Sequence, residues 1–152
     1  MLRDTIAAST KEAMRAKDKE RLATLRLISA AIKNKDIEAR ASGNDGGISD
    51  NDILVVLQKM VRIRKEAIEG AKAAGRDDII AKEKAEIAVI KAYLPSMLTQ
   101  DEVAKAIDET LQSTGAASIK DIGAVMADLR CRYVGRMDFS TVAGKIKQKL
   151  QS

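Results

Sequence analysis

The chain has 152 residues, 45% hydrophobic and 32% charged, with 27 Lys and Arg against 22 Asp and Glu and a net charge of +5. This balance excludes a disordered chain, and no apolar run approaches the roughly 20 residues of a membrane span. The absence of His removes Ser–His and Cys–His nucleophile pairs and His-containing metal sites, and the single Cys131 removes an intramolecular disulfide.

The length suits one ordinary domain or two small ones. Three aromatic residues, Tyr93, Tyr133 and Phe139, are too few for a base-stacking platform. The N-terminal segment lacks the apolar stretch of a signal peptide. Together with the lone cysteine, this predicts a cytoplasmic protein without a membrane partner.

Apolar residues recur at helical spacing along the chain and nowhere alternate as in a strand, so the predicted fold class is all-α. The first helix is predicted from Leu2 to Arg15, with Ile6, Ala7, Ala13 and Met14 inward. Asp18 then caps a second helix that carries Leu22, Leu25, Ile28 and Ile32 on one stripe and ends near Ala41. Ser42 to Gly47 reads as a loop. Ser49 with Asp52 forms a capping box for a long third helix, with Ile53, Leu57, Met60, Val61, Ile68 and Ala71 on one face. Gly75 suits a left-handed helix end. Asp77 and Asp78 open a fourth helix with Ile80, Ile87, Ile90 and Leu94 inward, and Pro95 ends it.

Thr99-Gln-Asp-Glu102 is a capping box for a fifth helix with Val103, Ile107 and Leu111 inward. Gly115 closes it. Ser118 with Asp121 starts a sixth helix bearing Ile122, Val125, Met126 and Leu129, which Gly135 breaks. Asp138 caps a last helix with Val142, Ile146 and Leu150. The lone proline marks a boundary between a long-helix N-terminal domain, residues 1–95, and a small three-helix tail domain, residues 96–152.

No phosphate-cradling glycine motif occurs. Cys131 lies between Arg130 and Arg132, which favours a thiolate, but it has no His or second Cys beside it. The carboxylates, such as Lys82-Glu83-Lys84 with Glu86, read as caps and solvated helical salt pairs. Cations crowd the third helix at Lys59, Arg62, Arg64 and Lys65. A second group comprises Lys120, Arg130, Arg132, Arg136, Lys145, Lys147 and Lys149. This C-terminal group is the candidate RNA-binding set, because a basic helix can track phosphates; the alternative is a solvated helix face with cations at negative helix ends. No catalytic, cofactor-binding or metal-ligating residue is predicted.

Three blocks carry a family resemblance. They are Met14 to Leu22 followed by Leu25-Arg26; Gly75-Arg-Asp-Asp with Lys82-Glu83, Glu86 and Tyr93-Leu94-Pro95; and Gly123-Ala-Val-Met126 with Gly135-Arg-Met-Asp138 and Val142. Together they resemble the YqeY family, which is similar to the C-terminal part of the B subunit of aspartyl/glutamyl-tRNA amidotransferase. The resemblance covers nearly the whole chain. It implies a helical domain followed by a tail domain, tRNA as partner, and an association with carbon–nitrogen ligases that use glutamine as amido-nitrogen donor. Gly123, Val125 and Met126 match the tail's core motif, and Gly135, Arg136 and Asp138 match its second turn. Met137 and Phe139 stand where Ala and Gly are more common, and Cys131 where Pro is often seen.

Glutamine hydrolysis needs an activated nucleophile, and acceptor activation needs an ATP and Mg²⁺ site; no motif here signals either. The expected function is therefore a tRNA-binding accessory without its own catalytic centre. Two alternatives remain: a helical adaptor for a protein partner, such as one of the translation machinery, and a stand-alone ligase or amidase.

Overall fold

The computed structural model describes residues 1–151. It is all-α, with seven α-helices and no strand among the described residues: α1 Leu2–Arg15, α2 Lys19–Ala41, α3 Asp50–Ala73, α4 Asp77–Lys91, α5 Gln100–Thr114, α6 Ile122–Arg132 and α7 Phe139–Gln151. A 3₁₀ turn, Ile119–Asp121, precedes α6. The chain divides into two compact units, Met1–Leu94 and the segment from Pro95 onward.

Local chemistry fixes the helix ends. The Asp18 carboxylate accepts from the Arg21 N–H at 3.2 Å, which satisfies one of the open donors of α2. At α3, Ser49 Oγ accepts from the Asp52 N–H at 3.1 Å and the Asp52 carboxylate accepts from the Ser49 N–H at 3.4 Å. Thr99 and Glu102 make the same reciprocal pair at α5, at 3.2 and 3.0 Å. Gly75 follows α3 in the left-handed conformation, φ +68°, as the sequence predicts.

In the N-terminal unit α1 packs on α2 and α3 on α4, with α2 also against α4. Leu25, Ile28, Ile53, Leu57 and Ile90 are fully buried at its centre. Each such side chain contributes roughly 1.5–3 kcal/mol of transfer free energy. The inward faces of α2 and α3 match the periodicity. α1 differs: Ile6 and Ala13 are buried, but Ala7 and Met14 are exposed. Ile6 and Ala13 lie seven residues apart on one narrow line, and Ala7 and Met14 are each turned about 100° from it.

In the C-terminal unit α6 packs against both α5 and α7. Val103, Ile107, Val125, Met126, Leu129, Met137, Val142 and Ile146 form its core. Leu111, Ile122 and Leu150, predicted inward, sit half-buried at its margin. The sixth helix does not start at Ser118. The Asp121 carboxylate accepts from the N–H groups of Ala117 at 2.9 Å and Ser118 at 3.2 Å, and the chain makes the tighter 3₁₀ turn before α6 begins.

Candidate nucleic-acid interface

The C-terminal unit carries eight Lys and Arg against seven Asp and Glu, so its net charge is only +1. The charges are segregated, however. Residues 95–115, which include α5, hold one cation and four carboxylates; residues 116–152 hold seven cations and three carboxylates. α7 itself has no acidic residue. The seven candidate cations therefore all lie on the 3₁₀ turn, α6, α7 and the turn between those helices.

Three of the seven are engaged by the fold. Arg132 donates from Nε to Asp128 at 3.0 Å and from Nη2 to the hydroxyl of the fully buried Thr110, and its guanidinium lies 5.2 Å from the Tyr133 ring centroid. Lys149 is paired with Asp108 of α5. Arg136 follows Gly135, which has φ +76°. Its Nε donates to the Ser96 carbonyl at 3.0 Å, and its own carbonyl accepts from the Leu98 N–H at 2.9 Å. Arg136 thus holds the Ser96–Leu98 segment against the α6–α7 turn.

The other four are available. Lys120, Arg130 and Lys147 are exposed and Lys145 is half-buried. Among the described residues none of these four takes part in a side-chain hydrogen bond or ion pair. The seven do not share one face. On α7, Lys145 and Lys149 lie four residues apart on one flank, whereas Lys147 is about 200° from either.

Gly144 lies on the outer face of α7, opposite the buried Ile146, about 100° around the helix from Lys145 on one side and about 60° from Lys147 on the other. A Cβ built there meets nothing within 4 Å, so packing does not demand a glycine. The same holds for Gly123, three residues after Lys120 at the start of α6. A glycine inside a helix costs about 1 kcal/mol relative to Ala. The neighbouring Val125 and Met126 are buried in the core, so the motif around Gly123 mixes packing residues with an open backbone position.

Asp138 caps α7. Its carboxylate accepts from the Ser140 hydroxyl at 2.6 Å, the Ser140 N–H at 3.2 Å and the Thr141 hydroxyl at 3.0 Å. The Ser140 hydroxyl foremost holds its titration below the usual aspartate range. Cys131 is exposed and makes no disulfide. Among the described residues no group of three or more Cys, Asp or Glu could hold a metal ion, and no helix is long and apolar enough to cross a membrane.

The α3 cations separate in the same manner. Lys59, Arg62 and Lys65 are exposed, but Arg64 donates from Nε to Glu86 at 2.8 Å, lies 4.0 Å from Glu83, and donates from Nη1 to the Met60 carbonyl at 3.1 Å. The sequence reading of Glu83 and Glu86 as solvated pairs within α4 is corrected here. Both carboxylates face α3, and the guanidinium they share is 13% exposed.

Comparison with known proteins gives one consistent result. The sequence model of the family described as Yqey-like protein matches residues 3–150. Three fungal relatives are each named altered inheritance of mitochondria protein 41, mitochondrial. The Eremothecium gossypii protein is 37% identical over 87 residues, 57% of this chain and 45% of that protein. The Pyrenophora tritici-repentis protein is 29% identical over 148 residues, 94% and 77% of the two chains. A Saccharomyces cerevisiae protein is 32% identical over 93 residues, 61% and 48%. The matched segment thus spans about half the length of the first and third of these relatives.

These names overturn the cytoplasmic expectation, since every one of the relatives is called mitochondrial. A lone cysteine excludes an intrachain disulfide but does not discriminate among compartments. The match over residues 3–150, carried by blocks in both units, identifies the chain as a member of the YqeY family.

Proposed function

We propose that this chain is a tRNA-binding accessory protein, related to glutamine-dependent tRNA amidotransfer and without a catalytic centre of its own. The observation that carries this reading is the outer face of α7. Gly144 stands in its middle with no packing reason to lack a side chain, unpaired Lys145 and Lys147 flank it, and the helix has no carboxylate. A bare backbone between two cations lets a phosphate-lined groove approach closely. Double-stranded RNA is held in this way through shape, phosphate and 2′-hydroxyl contacts, without aromatic stacking. Lys120 beside Gly123 repeats the pairing of a cation with an open glycine.

Titration of the full chain with bulk tRNA at two salt concentrations tests the reading. With about four phosphates neutralised, affinity falls about a hundredfold between about 50 and 200 mM salt. Lys145→Glu with Lys147→Glu weakens binding further. Gly144→Ala stabilises the helix yet weakens binding, because the added methyl stands where the RNA backbone approaches. Lack of tRNA binding at low salt, or full affinity in all these variants, rejects the reading.

A protein-adaptor function is favoured by a different observation. Val55, 54% exposed on α3, borders a shallow cleft of about 230 Å³ with Lys35, Ile48, Asp52 and Val56. A partner that copurifies and survives ribonuclease treatment supports this second reading.

A further inference from the structure

The outer face of α2 carries a row of cations that, among the described residues, form no ion pair or side-chain hydrogen bond. Lys19, Arg26, Lys33 and Arg40 recur every seven residues, and all four are exposed. At about 1.5 Å and 100° per residue they form a nearly straight stripe about 31 Å long, with steps of about 10.5 Å. The stripe lies on the side of α2 away from the buried Thr24, Leu25, Ile28 and Ile32. Exposed Ala23, Ala30 and Ile37 stand between the cations.

One carboxylate borders this face: Asp36, three residues after Lys33 and four before Arg40, acts electrostatically on Arg40. Glu20 and Glu38 are displaced from it by about a third of a turn. Glu38 is held by Lys35 at 2.8 Å, and Asp36 is turned to Arg3. Among the described residues none of the four cations is in a side-chain hydrogen bond or ion pair. Solvated helix faces ordinarily interleave acids with bases three or four residues apart. α3 does so at Glu69 and Lys72, and α5 at Lys105 and Glu109. Along the α2 stripe only Asp36 stands at such spacing, and Arg3 holds it, while residues 1–41 carry ten Lys and Arg against six Asp and Glu.

We propose that the α2 stripe binds the phosphate backbone of double-stranded RNA. The inference rests on the RNA-binding reading for the class of ligand and assigns it a second surface, in the other unit. A partner helix is disfavoured, because a coiled-coil seam needs bulky apolar knobs at alternate three- and four-residue steps. Here those steps supply two alanines and one isoleucine. Insertion into a bilayer is disfavoured because the apolar side of α2 is already committed to the core. What remains is a rod-like polyanion. Small residues let it come close, and flexible cationic arms at regular intervals neutralise its charges.

The test uses the full chain and an RNA duplex of about 16 base pairs, the span of a double-stranded-RNA module, followed by fluorescence anisotropy across a salt series. Arg26→Glu with Lys33→Glu is expected to lower affinity at least about tenfold and to reduce the salt slope by about two. Arg26→Lys with Lys33→Arg retains binding, and the thermal midpoint does not move. If the reversed charges perturb folding, Arg26→Gln with Lys33→Gln serves in their place. Unchanged affinity and slope in the stripe variants overturns the inference. So does failure of the unmutated chain to bind the duplex at low salt, or a requirement for Arg26 and Lys33 seen only with phosphatidylserine vesicles. Loss of binding in Lys145→Glu with Lys147→Glu, but not in the stripe variants, leaves the α7 reading standing and removes this one; the reverse result does the opposite.

Discussion

Arg3 donates two parallel hydrogen bonds to the Asp36 carboxylate, from Nη1 to Oδ2 at 2.7 Å and from Nη2 to Oδ1 at 3.0 Å. The pair ties the start of α1 to the end of α2. It also secures the loop that follows, since Asp36 Oδ1 accepts from the Ile48 N–H at 2.8 Å and Arg3 Nη2 donates to the Ile48 carbonyl at 3.2 Å. Gly47 fits beside it with φ +83°, where a Cβ would lie 3.0 Å from Arg3 Nη2 and 3.1 Å from Asp36 Oδ1. Glycine is required there both for its backbone conformation and for lack of space.

The Arg3 guanidinium foremost, then the Ile48 N–H, lowers the Asp36 carboxyl from 3.8 to about 2. A folded-state value below the unfolded one makes the contribution whole above the ordinary aspartate range. It is lost as pH falls through about 4 toward about 2. Asp36→Ala is expected to cost on the order of 1–2 kcal/mol at pH 7, discounted for the half-exposed Arg3. In urea unfolding at several pH values, the gap between parent and variant should shrink over that acidic window. A gap independent of pH contradicts the account.

Arg64 and Glu86 staple α3 to α4 at 2.8 Å, with side chains 13% and 15% exposed. Removing the cation leaves Glu86 and Glu83 half-buried without their partner. Arg64→Ala is expected to destabilise the protein by about 2–3 kcal/mol, near the lower end for a buried pair. An exposed neighbour such as Arg62→Ala should stay within about 0.5 kcal/mol. Chemical denaturation of both variants checks the contrast.

Lys17 is the one non-glycine residue with positive φ among the described residues, at +57°. The α1–α2 turn closes around it, with the Lys17 N–H donating to the Met14 carbonyl at 3.2 Å and the Asp18 N–H to the Ala13 carbonyl at 3.0 Å. A Cβ in this left-handed conformation costs roughly 1–2 kcal/mol, part of which glycine gives back as unfolded-state entropy. Lys17→Gly should therefore raise stability by about 0.5–1 kcal/mol, read as an increase in thermal midpoint.

Met137 is 1% exposed and packs into the core of the C-terminal unit. Met137→Ala empties a filled site in that core. The expected cost is about 2–4 kcal/mol. Calorimetry that shows no loss of stability would mean that the core collapses onto the shortened side chain.

The elements were legible because their signals are local. Caps at Asp18, Ser49 and Thr99 and the helix end at Gly75 each depend on groups within a few residues. The apolar faces of α2, α3 and α5 repeat with the helical period, and the spacing places their inward residues except Leu22 and Leu111, which are half-buried at the core margins. Met137 was not legible, because a single apolar residue in a turn has no period. The α2 stripe is a seven-residue repeat of cations in the sequence, but only the fold shows that the opposite side of the helix is the one buried.

Which charges are free is a different kind of question. Arg3 meets Asp36 across 33 residues, Arg64 meets Glu86 across 22, and Lys149 meets Asp108 across 41. No window of sequence contains both partners. The order of residues alone determined an all-helical chain, its caps and its family, because helix formation and its termination are short-range. Only the folded arrangement sorted the cations into those that hold helices together and those left facing outward, because an ion pair forms where packing brings two side chains within a few ångströms.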